Sequence, residues 1–330
     1  MNPITLRASG IAASIAASIP APAPTPKRLA PRPRSAAPWA HRVALLAARM
    51  LLLCGACGAW AAAGLVTMLD GDARLVHAQG AAEVIEALKL PAAALLQTSA
   101  SSRLLRVEWP DGSALDLGAD TQVLIVAEGL SERAAKAPGA YLLRGWAKLS
   151  GAAVPSAPML QSAVGELPPF KGVAVVFALE GRNGVFSETG PLLLQERTGK
   201  TLLTLQTGQF YSQQGGSAGQ TEPRPPPDML QQLPRAFRDT LPHRLAAMQQ
   251  REAKVRSLPL PTYAELKPWL AANDPALRRV MVHRFAAWAK DAGLKSALVI
   301  NINAHREWAS LVIPKPVPKP NTDGAASAAR

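Results

Sequence analysis

Leu104-Leu-Arg-Val-Glu-Trp-Pro-Asp-Gly-Ser-Ala-Leu-Asp-Leu117 contains two apolar runs split by a four-residue turn. Pro110, Asp111, Gly112 and Ser113 are turn formers for separate reasons: fixed φ, a side chain that bonds its own backbone, and freedom at positive φ. The flanking runs are short and rich in Leu and Val, which reads as a β-hairpin. The same pattern extends in both directions. Gly64–Met68 and Ala73–His77 flank Asp70-Gly71-Asp72, a second hairpin signal whose acids are explained by turn formation. Downstream lie Gln122–Ala127, Tyr141–Leu149, Val173–Leu179, Val185–Glu188, Leu192–Gln195, Leu202–Gln206 and Gln209–Ser212, with Gly, Pro or Asn between them. The spans from Val66 to Leu117 and from Val173 to Phe210 read as two weak copies of one strand-turn-strand theme. Residues 64–212 are therefore expected to be mainly β, a sandwich or roll of short strands.

The pattern then changes. Residues 213–227, QQGGSAGQTEPRPPP, read as a Gly/Pro linker. Residues 228–310 read as a small all-α region. Thr262 and Glu265 form a capping-box pattern for a helix over Tyr263–Ala271. Asp274-Pro275 caps a second helix with Leu277, Val280, Met281, Phe285 and Trp288 on one face, which Gly293 is expected to end. A further helix is expected over Leu298–Trp308. Residues 311–330 form a Pro/Lys-rich tail of polyproline character.

Charge and hydropathy divide the chain again. The formal net charge of +13 splits into +7 over residues 1–63, −2 over 64–220 and +8 over 221–330. The excess is diffuse and lacks dense basic clusters interleaved with aromatics, so nucleic acid is not an expected partner. Residues 1–40 hold eight Pro and no acid, and read as a disordered basic arm. Residues 41–63 carry an apolar core that turns small toward its end. The segment reads as a secretory signal with cleavage after Ala61 or Ala63, or as an uncleaved anchor contacting the membrane through residues 43–69. Either reading exports the rest of the chain to the periplasm. The two cysteines, Cys54 and Cys57, lie inside this core, leaving no thiol chemistry after it.

No set of acids, bases or nucleophiles converges in the sequence. The five histidines, His41, His77, His243, His283 and His305, share no metal-ligand spacing. His283 and His305 are expected on solvated or half-buried helix faces, and Glu108 and Asp111 read as charge decoration around the turn. No catalytic residue, metal or cofactor is expected, and the chain reads as a non-enzyme. Trp109, Tyr141, Trp146 and Phe210 are either core residues or a binding face beside polar turns. With the turn, this gives Trp109, Asp111, Gly112, Ser113 and Trp146 as candidate partner-binding residues.

The stretch Gly64–Val126 resembles the FecR domain of bacterial envelope signalling proteins. The resembling residues are Gly64-Leu-Val66, Gly71-Asp72-Ala73-Arg74-Leu75, Leu104–Trp109 leading into Asp111-Gly112-Ser113-Ala114-Leu115, and Thr121–Val126. Gly145 with the following Trp-Ala-Lys-Leu, Phe186–Gly190 and Leu205–Phe210 resemble later strands of that module, so the likeness spans about 150 residues. The resemblance implies a periplasmic, non-catalytic β module that receives or relays a signal through contacts with an envelope protein. The arm before the apolar segment lacks the amphipathic helix with which the best-known members regulate sigma factors. The alternative from another class is a protein that binds cell-wall polymer or polysaccharide through its aromatics and positive charge.

Overall fold

The alternation of Leu and Val along residues 104–117 closes into the expected hairpin, and both of its strands are buried throughout. A computed structural model describes residues 64–130, 138–152, 154–196, 200–215 and 217–314. The arm and signal segment with Ala61 and Ala63, and the tail from residue 315, lie outside the described residues. In chain order the first strands are β1 (Leu65–Asp70), β2 (Ala73–His77), β3 (Gly80–Glu83), β4 (Ala93–Thr98), β5 (Leu104–Glu108), β6 (Ala114–Leu117), β7 (Gln122–Val126) and β8 (Gly139–Gly151). They are followed by β9 (Met159–Ser162), β10 (Gly165–Leu167), β11 (Gly172–Leu179), β12 (Arg182–Thr189), β13 (Leu192–Gln195), β14 (Thr201–Leu205), β15 (Phe210–Gln214), β16 (Gln220–Glu222) and β17 (Ser257–Leu258). The helices are α1 (Pro227–Gln232), α2 (Leu245–Gln249), α3 (Tyr263–Leu270), α4 (Pro275–Phe285), α5 (Ala292–Ile300) and α6 (Ala309–Val312). The fold is mainly β, with its helices in the C-terminal third.

Two sheets share one long strand. The first runs β1-β5-β6-β8-β11-β12-β15-β16 and is antiparallel throughout. The second runs β17-β3-β2-β4-β7-β8-β9-β10-β13-β14, with only β8–β9 parallel. β8 changes sheets at Gly145, where φ is +95° and a Cβ would collide with Thr121. The Thr121 hydroxyl there accepts the Trp146 N–H at 3.0 Å, so the bend is held by a side chain as well as permitted by glycine.

Because a strand turns alternate residues to opposite faces, β4 and β7 serve two cores at once. Leu96, Val123 and Ile125 join Val66, Leu105, Val107, Leu115 and Leu149 between the sheets. Leu95, Leu124 and Val126 face the other way, onto Trp269, Met281, Phe285, Trp288 and Trp308 of the helical cap. The outer face of the first sheet is covered instead by residues 227–249, a strap whose Met229 and Phe237 pack on Trp146, Val175, Phe177 and Phe210. The C-terminal third thus folds back over both outer faces of the sandwich.

Several local expectations change in this setting. Within the expected linker, residues 220–222 pair with β15 and Pro227 opens α1. The capping box of α3 forms, with Thr262 and Glu265 bonding each other's backbone, and Asp274 caps α4. Gly293 does not end that helix. Residues 286–290 tighten into a 3-10 turn, and Asp291 caps the new helix α5 by accepting the Leu294 N–H at 2.8 Å. A capping carboxylate competes successfully with a glycine two residues later. The helix expected over Leu298–Trp308 ends at Ile300, and residues 306–308 form a separate 3-10 turn.

Candidate interaction surface

The Asp-Gly-Ser turn closes on itself. Gly112 adopts φ +88° and its N–H bonds the Trp109 carbonyl at 3.1 Å. Asp111 accepts the Ser113 backbone N–H at 3.0 Å and the Ser113 hydroxyl at 3.1 Å. Ser113, fully buried, also accepts the Ala152 N–H at 3.2 Å and so ties the turn to the end of β8. Trp109 is buried in the core between the sheets, and Trp146 is buried beneath the strap. Of the five candidate partner-binding residues only Gly112 is exposed and Asp111 half-exposed. They do not make a face. Tyr141 and Phe210 are buried as well, so all four aromatics take the core alternative.

The sequence reading missed a buried ladder of charge. Arg106, Asp116 and Lys148 stand side by side across β5, β6 and β8. All three are buried, as is Glu108 two residues along β5. Arg106 donates to both oxygens of Asp116 at 3.1 and 3.0 Å and to Glu108 at 3.2 Å. Lys148 meets Glu188 at 3.0 Å and donates to the Phe237 carbonyl on the strap. Glu108 accepts from Thr67 at 2.7 Å and from the strap backbone, Arg244 N–H at 3.1 Å and Leu245 N–H at 3.0 Å. A carboxylate from the sheet therefore caps α2 from outside its own segment.

The pKa values of the two carboxylates are shifted in opposite directions. Burial opposes ionisation of Glu108, but the bonds from Thr67 and Arg244, the Arg106 charge and the Leu245 N–H outweigh it and hold its pKa below the ordinary value. For Asp116, burial outweighs Arg106 and Lys148 and pushes the pKa up to about 6. Glu108 is thus a structural anchor rather than decoration around the turn. His305, expected on a solvated or half-buried face, is 1% exposed and bonds the Tyr263 hydroxyl at 2.7 Å. Among the described residues no group of His, Cys, Asp and Glu is placed to hold a metal ion.

One accessible groove, of about 600 Å³, lies where the strap crosses the end of the first sheet. Trp146 and Leu179 contribute its apolar lining, and Arg103, Arg144 and Arg235 bring three guanidinium groups to it. Asp70, Asp120 and Asp239 bring three carboxylates. Arg103 pairs with Asp70 at 2.7 Å and Arg144 with Asp120 at 3.1 Å, all four groups being well exposed. Exposed pairs of this kind are worth about 0–1 kcal/mol, so exchanging them for groups on a bound chain costs little. Trp146 is the one sequence candidate that lines this groove.

No family model matches the chain, and no curated protein matches it in sequence. No helix of the described residues is long and apolar enough to cross a membrane. Among solved structures, two crystal structures of a candidate anti-sigma factor from Parabacteroides distasonis are similar, each at 13% identity. One has a TM-score of 0.34 and covers 40% of this chain and 60% of that one. The other has a TM-score of 0.30, with 36% and 55% covered. The chain thus spans less than two thirds of the length of these structural neighbours.

Proposed function

We propose that this protein is an exported, non-enzymatic FecR-like regulator that works by holding a protein partner in the cell envelope. The mixed-charge groove carries the reading. It offers balanced acids and bases in exposed, loosely committed pairs around an apolar lining, a composition suited to a folded or extended polypeptide. Lys148 and Glu108 of the first sheet bond the strap while Arg106 and Asp116 bond each other, and this engagement inside the fold supports a non-catalytic reading. The aromatic platform needed for stacking sugars is absent from the described surface, because Trp109, Tyr141, Trp146 and Phe210 are buried. This weighs against the wall-polymer alternative.

In-cell crosslinking followed by affinity capture from the envelope fraction tests the proposal, with isolated sacculi assayed in parallel. The expected result is a discrete protein partner that is lost when Arg103→Glu, Arg144→Glu and Arg235→Glu are combined. Sedimentation with sacculi, and no protein captured, would overturn it.

A further inference from the structure

The helical cap buries its tryptophans but leaves a band of aliphatic side chains outside. Leu298 of α5 and Val312 of α6 enter the core of the cap, and the two helices pack together there. Their neighbours in the chain do not. Val299 and Ile300 at the end of α5, and Leu311 and Ile313 around the end of α6, are all exposed. Ile300, at 82%, is the most exposed large hydrophobic side chain among the described residues. Along α5 the exposed residues Ala292, Lys295, Ser296, Val299 and Ile300 recur at three-to-four spacing, so they form one continuous face.

The free charge of the cap has one sign. Residues 261–314 contain four carboxylates, and each is engaged inside the fold. Glu265 pairs with Arg74 and Glu307 with Arg278, while Asp274 and Asp291 accept the N–H groups of Ala276 and Leu294. Lys267, Lys290, Lys295 and Arg306 are exposed and have no ion-pair partner among the described residues. Lys295 stands one turn before Val299 on the same face of α5, where a lysine stem can follow apolar surface while its charge stays in a polar layer. Exposed aliphatics beside free cations match the acyl boundary and headgroup layer of an anionic bilayer. A soluble acidic polymer would use the cations but leave the aliphatics in water. A second copy of the patch would bring like charges together, and four side chains fall far short of the roughly 20–30 residues a side of a standard protein interface.

We propose that this end of the helical cap docks on an anionic phospholipid surface. Val299, Ile300, Leu311 and Ile313 enter the acyl boundary, and Lys295 and Arg306 meet the phosphate-bearing headgroups. The docking is weak and salt-dependent, because few side chains enter and the cations act at an exposed surface. It requires only an anionic leaflet beside the cap. The groove is lined by other residues, so this proposal and the partner reading stand or fall separately.

Solvent labelling at position 300 tests it in the full chain. Ile300→Cys, with Cys54→Ser and Cys57→Ser to remove the native thiols, is reacted with a water-soluble maleimide in the presence of vesicles. Phosphatidylcholine alone should leave the labelling rate unchanged, whereas added phosphatidylglycerol should slow it about tenfold. High salt, or Lys295→Glu combined with Arg306→Glu, should restore the rate. Ala218→Cys, in the turn before β16, should be labelled equally on both vesicles. Matching circular dichroism would show that the variants fold. The charge variant keeps the export segment, so slow labelling that persists in it would trace the effect to that segment and overturn the proposal. An unchanged rate on anionic vesicles, or equal slowing on neutral ones, would do the same. So would slowing by dextran sulfate without lipid, which would assign the cations to a soluble polyanion. Slowing that grows with protein concentration in the absence of vesicles would hand the patch to a second copy and sink the proposal.

Discussion

The two outer faces of the sandwich are covered by the same C-terminal third of the chain but in different physical ways. On the second sheet, Val76, Leu95, Leu124 and Val126 meet a cap of tryptophan, phenylalanine and leucine, and that contact is apolar almost throughout. On the first sheet, apolar packing occupies only the two ends of the strap, at Met229 with Phe237 and at Met248. Its centre is the ladder of Arg106, Asp116 and Lys148 with Glu108 beside it. Apolar burial is strong and tolerant of small shifts. A buried charge network adds little net stability against an apolar replacement, yet losing one member is expensive. The cap is therefore held by area and the strap by matched partners.

Removing area should have the largest effect. Trp269 is fully buried under α3, and Trp269→Ala is expected to destabilise the fold by about 3–5 kcal/mol. The measurement is chemical denaturation of the full chain; a loss below ~1 kcal/mol would mean that the cap is not part of the cooperative core. Next comes the anchor of the strap. Glu108→Ala removes the acceptor of two backbone N–H groups and of the Arg106 Nε–H, with an expected cost of about 3 kcal/mol. The signature should be local: new proteolytic cuts between residues 223 and 250 while the helical cap stays protected. Equal loss of protection on both faces would break the distinction.

These two faces were unequally legible in sequence. The hairpin at Asp111–Ser113 and the caps at Thr262 and Asp274 could be read because each depends on neighbours a few residues away. β3 and β4 went unread because Gly80–Glu83 and Ala93–Thr98 are rich in alanine, which has little β preference and takes its strand state from the strands beside it. The ladder was missed for a related reason. Arg106, Glu108 and Asp116 alternate with leucine and valine, the pattern of a strand with one wet face. Only the strap, more than a hundred residues downstream, turns that face into an interior. The same distance hid the groove, since its walls come from the loops beside β1, β5 and β7, from β8 and from the strap.

Acid should separate the faces with a smaller but opposite effect on each. Burial depresses the pKa of His305 in the cap, and its Nε2 is bonded to the Tyr263 hydroxyl. A histidine lowered in the fold contributes stability that is complete above its ordinary pKa of about 6.5 and is lost as pH falls through the lower folded value. Asp116 has the reverse sign. Its raised pKa of about 6 means that its contribution is complete below the ordinary carboxylate range and disappears as pH rises through 6. Glu108, lowered in the fold, gives way only at still lower pH than an ordinary glutamate. Between pH 7 and 5 the cap should therefore loosen while the first sheet tightens beneath its strap. Amide hydrogen exchange, corrected for the intrinsic pH dependence, reads both regions in one sample. Protection should fall along α3 and residues 305–312 and rise along β5 and β6. Asp116→Asn should abolish the rise alone, because it removes the titrating group under the strap and leaves His305 untouched. If both regions moved together in that variant, the two faces would share one titrating group and the contrast between area and matched charge would fail.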